Sequence, residues 1–187
     1  MIEQSRFAAI VAGAQRGEEL AVAVLFADLQ PRLLRFLRAQ APEVAEDIAS
    51  EVWIGIARGV GRFEGDAGNF RAWAFSIARR RVIDHRRRSG HRPVEVADDH
   101  ERMAREVVPP ADDAAIANLS AERAVDLIRA CLPPDHAEVV LLRVLGDLDA
   151  AQVAEVMGRT VSWVRVTQHR ALRRLAERVG SQLGVTP

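Results

Sequence analysis

Hydrophobic residues recur along this chain at the spacing of α-helices, and no alternating strand pattern interrupts the first half. The predicted helices span residues 5–15, 20–40, 44–58 and 70–88 in the first half, then 114–131, 135–145 and a pair within 149–175. Pro133 and Pro134 mark the start of the helix at 135, because proline is favoured in the first helical turn. The predicted fold class is therefore all-α.

Proline and glycine divide these helices into two groups. Pro42 separates the second helix from the third, and four glycines make residues 59–69 a predicted loop with Phe63 in its middle. Residues 92–113 contain three prolines, many acids and few large apolar side chains, which is typical of a tether between domains. The sequence thus predicts two small helical domains, residues 1–91 and 114–187, joined by a flexible acidic linker.

The last two helices carry the signals of a helix-turn-helix. Asp149 is placed to cap the first of them, and Gln152 completes a capping box three residues later. Gly158 can adopt the left-handed conformation that ends this helix, and Thr160 can cap the next one. Gln168 does not fit the amphipathic pattern of the second helix, since this polar residue falls inside the apolar arc.

The outer face of that second helix is rich in arginine. Arginine can donate two hydrogen bonds to guanine or to phosphate, and a compact helix-turn-helix with a cationic second helix fits the DNA major groove. The alternative is an ordinary solvated arginine-rich helix, which the capping, turn and apolar stripe together make the weaker interpretation. The candidate DNA-contacting residues are Ser162, Trp163, Arg165, Val166, His169, Arg170 and Arg173.

Charge is distributed unevenly, although the net charge of the 187 residues is zero. Residues 71–92 hold eight arginines and one aspartate, and residues 159–178 hold six arginines and one glutamate. Between them, residues 93–125 hold eight acids and three arginines. Two cationic blocks flanking an anionic stretch favour a polyanionic partner that is contacted at two places.

Composition also limits the other function classes. We expect a cytoplasmic protein without membrane insertion, because no apolar run is long enough to span a bilayer and the amino terminus lacks an export pattern. The five histidines are scattered and Cys131 is the only cysteine, so no metal-ligand spacing appears. Neither a phosphate loop nor a nucleophile elbow occurs. We therefore predict no enzyme, with no catalytic residue, metal, cofactor or small-molecule substrate.

Two segments of the chain resemble the extracytoplasmic-function (ECF) sigma factors of bacterial RNA polymerase. The first runs from AEDIASEVW at residues 45–53 through GRFEGDAGNFRAWAFSIARRRVIDHRRR at 61–88, and the second from LPPDHAEVVLLR at 132–143 through QHRALRRL at 168–175. The resemblance implies that the front domain binds the polymerase clamp and opens the −10 promoter element. It also implies that the back domain lies on the polymerase flap and recognises the −35 element, and that an anti-sigma factor regulates the protein.

The resemblance assigns residues to the front domain as well. Those on the clamp-binding helix would be Glu46, Asp47, Glu51 and Trp53, while Ser50 stands where the family often has glutamine. The loop at 59–69 and the start of the next helix correspond to the element that captures an extruded promoter base. The candidates for that element are Phe63, Asn69, Phe70 and Arg71, and those for holding phosphates are Arg79, Arg80, Arg86, Arg87 and Arg88.

Two other functions remain open on the sequence. A repressor or response-regulator output domain would use the helix-turn-helix alone, without sigma activity. An adaptor would bind polymerase or a regulator but not promoters. The front segment separates the first of these from a sigma factor, because a repressor has no need for a second cationic domain with an aromatic loop.

Overall fold

The computed structural model of the chain describes residues 4–90 and 121–182. The first range forms α1 (Gln4–Gln15), α2 (Glu19–Gln40), α3 (Ala45–Gly59) and α4 (Ala67–Arg88), with short 3-10 helices at Pro42–Val44 and Val60–Arg62. The second range forms α5 (Ala121–Cys131), α6 (Pro134–Val144), α7 (Ala150–Met157) and α8 (Val161–Gln182). The two described ranges contain no strand, and the all-α prediction is confirmed. The predicted linker at 92–113 and the predicted helical residues 114–120 lie outside the described residues.

The front helices pack around a stripe of large apolar side chains on α2. Leu29, Leu33 and Phe36 from this stripe are fully buried. Phe36 meets Phe75 of α4 edge to face, with the ring centroids 5.2 Å apart. Edge-to-face aromatic pairs add to the free energy gained from burial. This contact fixes α4, which carries half of the front arginines, against the centre of the front half.

The start of α4 differs from the sequence prediction by three residues. The predicted loop extended to Asn69, whereas the helix begins at Ala67 and a 3-10 helix occupies Val60–Arg62. The reason is a cap: Asp66 Oδ1 accepts a hydrogen bond from the Asn69 backbone N–H at 2.7 Å. Aspartate in this position satisfies a free N–H of the first turn, so the helix starts earlier than its apolar periodicity suggested.

The predicted caps of the helix-turn-helix are confirmed. Asp149 Oδ1 accepts from the backbone N–H groups of Ala151 and Gln152 at 2.8 and 2.9 Å. Gln152 Oε1 in turn accepts from the Asp149 N–H at 2.8 Å. Gly158 ends α7 in the left-handed region, with φ 65° and ψ 37°. This conformation costs glycine little and reverses the chain toward α8.

The polar residue in the apolar arc of α8 has a partner. Gln168 Oε1 accepts a hydrogen bond from Arg143 Nε of α6 at 3.1 Å. Arg143 also donates to the backbone carbonyl of Leu148, just before α7. Arg143 therefore links α6, α8 and the turn before α7. Gln168 lies inside the packed face because its side-chain oxygen accepts a hydrogen bond from this arginine.

The two described ranges pack against each other. Helix α4 of the front half contacts α7 of the back half, and α2 contacts α6. At this contact a methyl group on Gly146 would lie 3.4 Å from the Phe75 ring, and a methyl group on Gly68 would overlap Gln152 Nε2. The division into two domains remains a prediction, and the described helices share an interface across it.

We predict that Asp149→Ala lowers the stability of the back half, because two N–H groups of α7 lose their acceptor. A lost N-cap costs about 1 kcal/mol, which corresponds to a fall of roughly 2–4 °C in the melting temperature of a protein of this size. Thermal unfolding followed by circular dichroism measures this fall. Glu155→Ala is the matched control, since Glu155 is an exposed acid of the same helix and its side chain caps nothing. Equal melting temperatures for the two variants would contradict the prediction.

Candidate nucleic-acid interface and partner surface

The predicted DNA-contacting residues of the back half all lie on α8, on the side that faces away from the core. Its inward side chains, Val164, Thr167, Ala171 and Leu175, are buried. The outward residues divide into an exposed set, Ser162, Arg165, Arg170 and Arg173, and a half-buried set, Trp163, Val166 and His169. The structure therefore brings the seven predicted residues together as one surface, called here the α8 face.

The amino-terminal end of the α8 face is fixed by two contacts. Thr160 Oγ1 accepts from the Trp163 backbone N–H at 3.1 Å, as the predicted cap requires. The Arg159 guanidinium lies 5.2 Å from the centroid of the Trp163 ring, within cation–π distance. Trp163 therefore presents an aromatic surface beside a positive charge at the start of the helix.

Arginine supplies the positive charge around the α8 face. Burial lowers the pKa of the neighbouring His136, and the charges of Arg170 and Arg174 lower it further, against an opposing effect of Asp135. His136 is therefore neutral near pH 7. Guanidinium groups keep their charge throughout the physiological range, so the arginines of this surface stay positively charged there.

The predicted loop of the front half carries a small aromatic cluster. Phe63 stacks on Trp73 with ring centroids 5.4 Å apart and meets the edge of Phe70 at 5.3 Å. Phe63 is half-buried, whereas Phe70 is only 2% exposed and also packs on Phe7 of α1. In this structure Phe70 supports the cluster from below, and Phe63 is the aromatic ring nearer to solvent.

Helix α1 holds this loop in place. Gln15 Nε2 donates to the backbone carbonyls of Val60 and Phe63, at 3.1 and 2.9 Å. This role of Gln15 could not be predicted from local spacing, because Gln15 and Phe63 are far apart in the chain and the contact arises from tertiary packing.

The predicted residues at the start of α4 lie in different environments. Asn69 is exposed and its amide lies beside the Asp66 carboxylate at the helix cap. Arg71 is only 9% exposed, and its Nη2 lies 3.8 Å from Asp147 Oδ2 in the α6–α7 turn. Arg32 Nη1 of α2 lies 3.4 Å from the same oxygen. Asp147 therefore joins two front arginines to the back half.

The arginines of α4 that are predicted to hold phosphates differ in exposure and in their partners within the chain. Arg80, Arg87 and Arg88 are exposed. Arg79 Nε donates to Glu138 Oε1 of α6 at 3.1 Å. Arg86 Nη2 donates to the Gln40 backbone carbonyl at 3.0 Å and to its side-chain oxygen at 2.6 Å.

Burial shifts the pKa of one of these arginines, Arg86, and of Glu138, the carboxyl that Arg79 contacts. It raises the pKa of the Glu138 carboxyl, although Arg79 opposes the shift. It also lowers the pKa of Arg86, although the charge of Glu138 opposes that shift. Both directions show charges that have been moved out of water, which costs free energy unless each charge is paired.

The predicted polymerase-binding residues lie on α3. Glu46 and Asp47 are exposed, while Glu51 and Trp53 are partly covered. Arg38 binds Glu46 at 2.8 Å and lowers the pKa of that carboxyl through the hydrogen bond. Arg81 lies 3.3 Å from Glu51. Exposed ion pairs of this kind contribute little to stability, so these acids can exchange partners readily.

An apolar surface beside these acids was missed by the sequence analysis. Phe26 of α2 is 46% exposed and its ring lies 4.9 Å from that of Trp53. Trp53 Nε1 donates to Gln30 Oε1 at 2.6 Å, and Val22 and Ile54 are exposed nearby on the same two helices. We call Val22, Phe26, Trp53 and Ile54 the α2–α3 patch. Phe26 directly follows Leu25, which belongs to the buried stripe of α2, so helical spacing turns Phe26 away from that stripe. A large aromatic residue outside the stripe was the sign in the sequence that this surface is exposed.

The described residues form neither a metal site nor a membrane-spanning helix. Across residues 4–90 and 121–182, no group of three or more His, Cys, Asp and Glu side chains is arranged to hold a metal ion. In the same ranges no helix has both the length and the apolar character needed to cross a membrane.

Comparison with known proteins gives matches in both halves. Residues 25–92 match the family model for Sigma-70 region 2, and residues 122–175 match that for Sigma-70 region 4. The ECF RNA polymerase sigma factor BldN of Streptomyces coelicolor is 33% identical over 176 residues, covering 93% of this chain and 66% of that protein. The ECF RNA polymerase sigma factor SigD of Mycobacterium tuberculosis is 30% identical over 185 residues, covering 95% and 86%.

A solved structure shares the fold. It is that of CnrH in complex with the cytosolic domain of CnrY, with a TM-score of 0.63, 20% identity, and coverage of 92% of this chain and 96% of that one. Three findings agree. The fold is helical, the region 2 and region 4 matches come in the correct order, and SigD is 30% identical over most of both chains. The chain belongs to the ECF sigma factors of RNA polymerase.

Proposed function

We propose that this chain directs the RNA polymerase core to promoters by recognising the −35 element with the α8 face and opening the −10 element with the loop and helix at residues 59–88. The observation that carries the proposal is that two separate arginine-bearing surfaces lie in the halves that match region 2 and region 4. The chain acts as a non-catalytic subunit in this function. Its cytoplasmic location follows from its proposed partner, the polymerase.

The α8 face has the properties that −35 recognition requires. Arg165, Arg170 and Arg173 are exposed on one side of a helix that is buried on the other. A helix of this kind can enter the major groove, where arginine donates to guanine or to flanking phosphates. Trp163, with Arg159 against its ring, gives this chain an aromatic contact at the start of the helix.

The front surface has the parts needed to hold an opened strand. Extruding a base from the duplex costs a few kcal/mol, which a pocket and backbone contacts must offset. Phe63 offers a ring for stacking, and Trp73 and Phe70 support it from behind. Arg80, Arg87 and Arg88 are exposed along α4 and can bind phosphates.

Polymerase binding is assigned to α3 together with the α2–α3 patch. The exposed acids Glu46 and Asp47 can pair with basic side chains of the polymerase clamp, while Phe26, Trp53 and Ile54 supply apolar area. Aromatic residues surrounded by charges are typical of the residues that dominate binding at protein interfaces. The flap is the proposed partner of the back half.

We also propose an anti-sigma factor as a regulatory partner. The related fold of CnrH is known in complex with the cytosolic domain of CnrY. A partner of this kind would act by covering the polymerase-binding surfaces described above.

The second candidate, a helix-turn-helix regulator without sigma activity, is less well supported. Such a protein would need the back half alone, whereas this chain matches sigma region 2 over residues 25–92 and carries an apolar patch with acids there. The adaptor hypothesis leaves the exposed arginines of α8 without a role.

We predict that the purified chain added to RNA polymerase core gives promoter-dependent run-off transcripts. Arg165→Ala together with Arg170→Ala should reduce this transcription at least about tenfold, because each lost base or phosphate contact costs about 1–3 kcal/mol. Arg178→Ala is the matched control, since Arg178 is an exposed arginine of α8 outside the α8 face. Absence of start-site selection by the wild-type chain would contradict the proposal.

Phe26→Ala should weaken binding to the polymerase core by about tenfold or more, because a partly exposed aromatic residue of this kind contributes about 1–3 kcal/mol to an interface. Biolayer interferometry with immobilised core polymerase measures the change. Leu20→Ala is the control: Leu20 is 84% exposed on the same helix but lies on a different side. If both variants bind like the wild-type chain, the α2–α3 patch is not the polymerase contact.

A further inference from the structure

Helix α1 contacts the aromatic cluster of the front half at two points. At the end of the helix, Gln15 Nε2 donates to the backbone carbonyls of Val60 and Phe63 at 3.1 and 2.9 Å. Nearer its start, Phe7 is only 3% exposed and its ring centroid lies 5.9 Å from that of Phe70. Helix α1 precedes residues 25–92, the segment that matches Sigma-70 region 2. The aromatic cluster therefore depends on a helix outside that segment.

The hydrogen bonds of Gln15 hold a single turn of backbone. Val60 begins the 3-10 helix Val60–Arg62, and its carbonyl also accepts from the Phe63 backbone N–H at 3.0 Å. Phe63 follows this turn in an extended conformation, with φ −71° and ψ 131°. A glutamine carboxamide has two N–H groups, which allows one for each carbonyl. Gln15 therefore fixes both ends of the turn and the backbone that carries the Phe63 ring.

Two glycines leave room for the rings of this cluster. A methyl group on Gly59 would lie only 2.6 Å from the Trp73 ring, on which Phe63 stacks with the ring centroids 5.4 Å apart. Gly65 has φ 142°, and a methyl group there would lie 3.3 Å from Cζ of Phe63. Phe63 is half-buried in this arrangement, so part of its ring remains accessible. A ring that is fixed before its ligand arrives loses less conformational freedom on binding.

We infer that Gln15 is a positioning residue for promoter opening, which acts through Phe63 by holding the turn at 60–63 in the conformation that stacks on an extruded base. This inference rests on the proposed function, because it takes Phe63 as the base-stacking residue. Gln15 is exposed, so its hydrogen bonds compete with water and each adds little to the free energy of unfolding. Their main effect is on the position of the Phe63 ring.

Gln15→Met tests the inference, because methionine has a similar length and no hydrogen-bond donor. The probe is a fluorescently labelled non-template single strand that spans the −10 element of a promoter selected by the wild-type holoenzyme. Each base of that element is replaced in turn by an abasic site, and fluorescence anisotropy measures the binding of each strand to the holoenzyme. Removing the captured base should weaken wild-type binding about tenfold, because base–aromatic stacking is lost.

The variant should respond differently to the same strands. Gln15→Met should bind the intact strand about fivefold more weakly than the wild type, since Phe63 is no longer held for stacking. The abasic site should then weaken binding by a further factor of about two at most, because the same interaction cannot be lost twice. Phe63→Ala should be equally insensitive to the abasic site.

The comparison of intact and abasic strands separates positioning from a general loss of stability. A variant that was only less stable would lose affinity for both strands in the same proportion, so the abasic site would still cost it about tenfold. Ala9→Met is the matched control, since it places methionine at another exposed position of α1. This control should bind both strands like the wild type.

The inference is overturned if Gln15→Met binds the intact strand like the wild type, or if the abasic site weakens the variant as much as the wild type. It is also overturned if no abasic position weakens the wild type. Failure of the proposed function gives a different result, because the wild-type holoenzyme then selects no promoter. Hydrogen exchange in the full chain decides that case: the amides of residues 60–66 should exchange faster in Gln15→Met, and equal rates would overturn the inference.

Discussion

The sequence contains 26 arginines and no lysine. A guanidinium group keeps its proton, and so its positive charge, even when it is buried. Each one must therefore lie in water or find hydrogen-bond acceptors, of which an anion is the strongest. The exposed arginines of α8 take the first solution, while Arg71 and Arg79 take the second through Asp147 and Glu138. The phosphates of promoter DNA are anions of the kind that arginine binds. The same type of interaction therefore stabilises the fold at Arg71 and Arg79 and serves the proposed DNA binding at α8.

Helix α7 connects the two surfaces. It packs on α4 of the front half and on α8 of its own half. Its ends are fixed locally, by the Asp149 cap and by the left-handed Gly158. Arg143 adds a third constraint by joining α6, α8 and the turn before α7. These contacts hold the helix-turn-helix as one unit and set the orientation of the α8 face.

The sequence predicted those features that depend on neighbouring residues. Helical periodicity, the box of Asp149 and Gln152, the turn at Gly158 and the outward arginines of α8 all follow from local spacing, and the structure has them in the predicted places. Helix α4 begins earlier than its apolar periodicity predicts because Asp66 caps its first turn.

Contacts between distant residues could not be predicted in this way. Arg79 and Glu138 are 59 positions apart, and Gln15 and Phe63 are 48 apart, so their hydrogen bonds exist only after the helices have packed. The burial of Phe70 and Arg71 has the same origin, since both depend on helices from elsewhere in the chain. The exposure of Phe26 is different, because helical spacing along α2 already places this residue outside the buried stripe.

The most direct test of the contact between the front and back halves is the distance between them in the free chain and in the holoenzyme. A spin label on Cys131 of α5 and a second on Ala8→Cys, an exposed position of α1, would report that distance by double electron–electron resonance. A single short distance in the free chain that lengthens on binding to core polymerase is the predicted result. An unchanged distance distribution in the two states would contradict it.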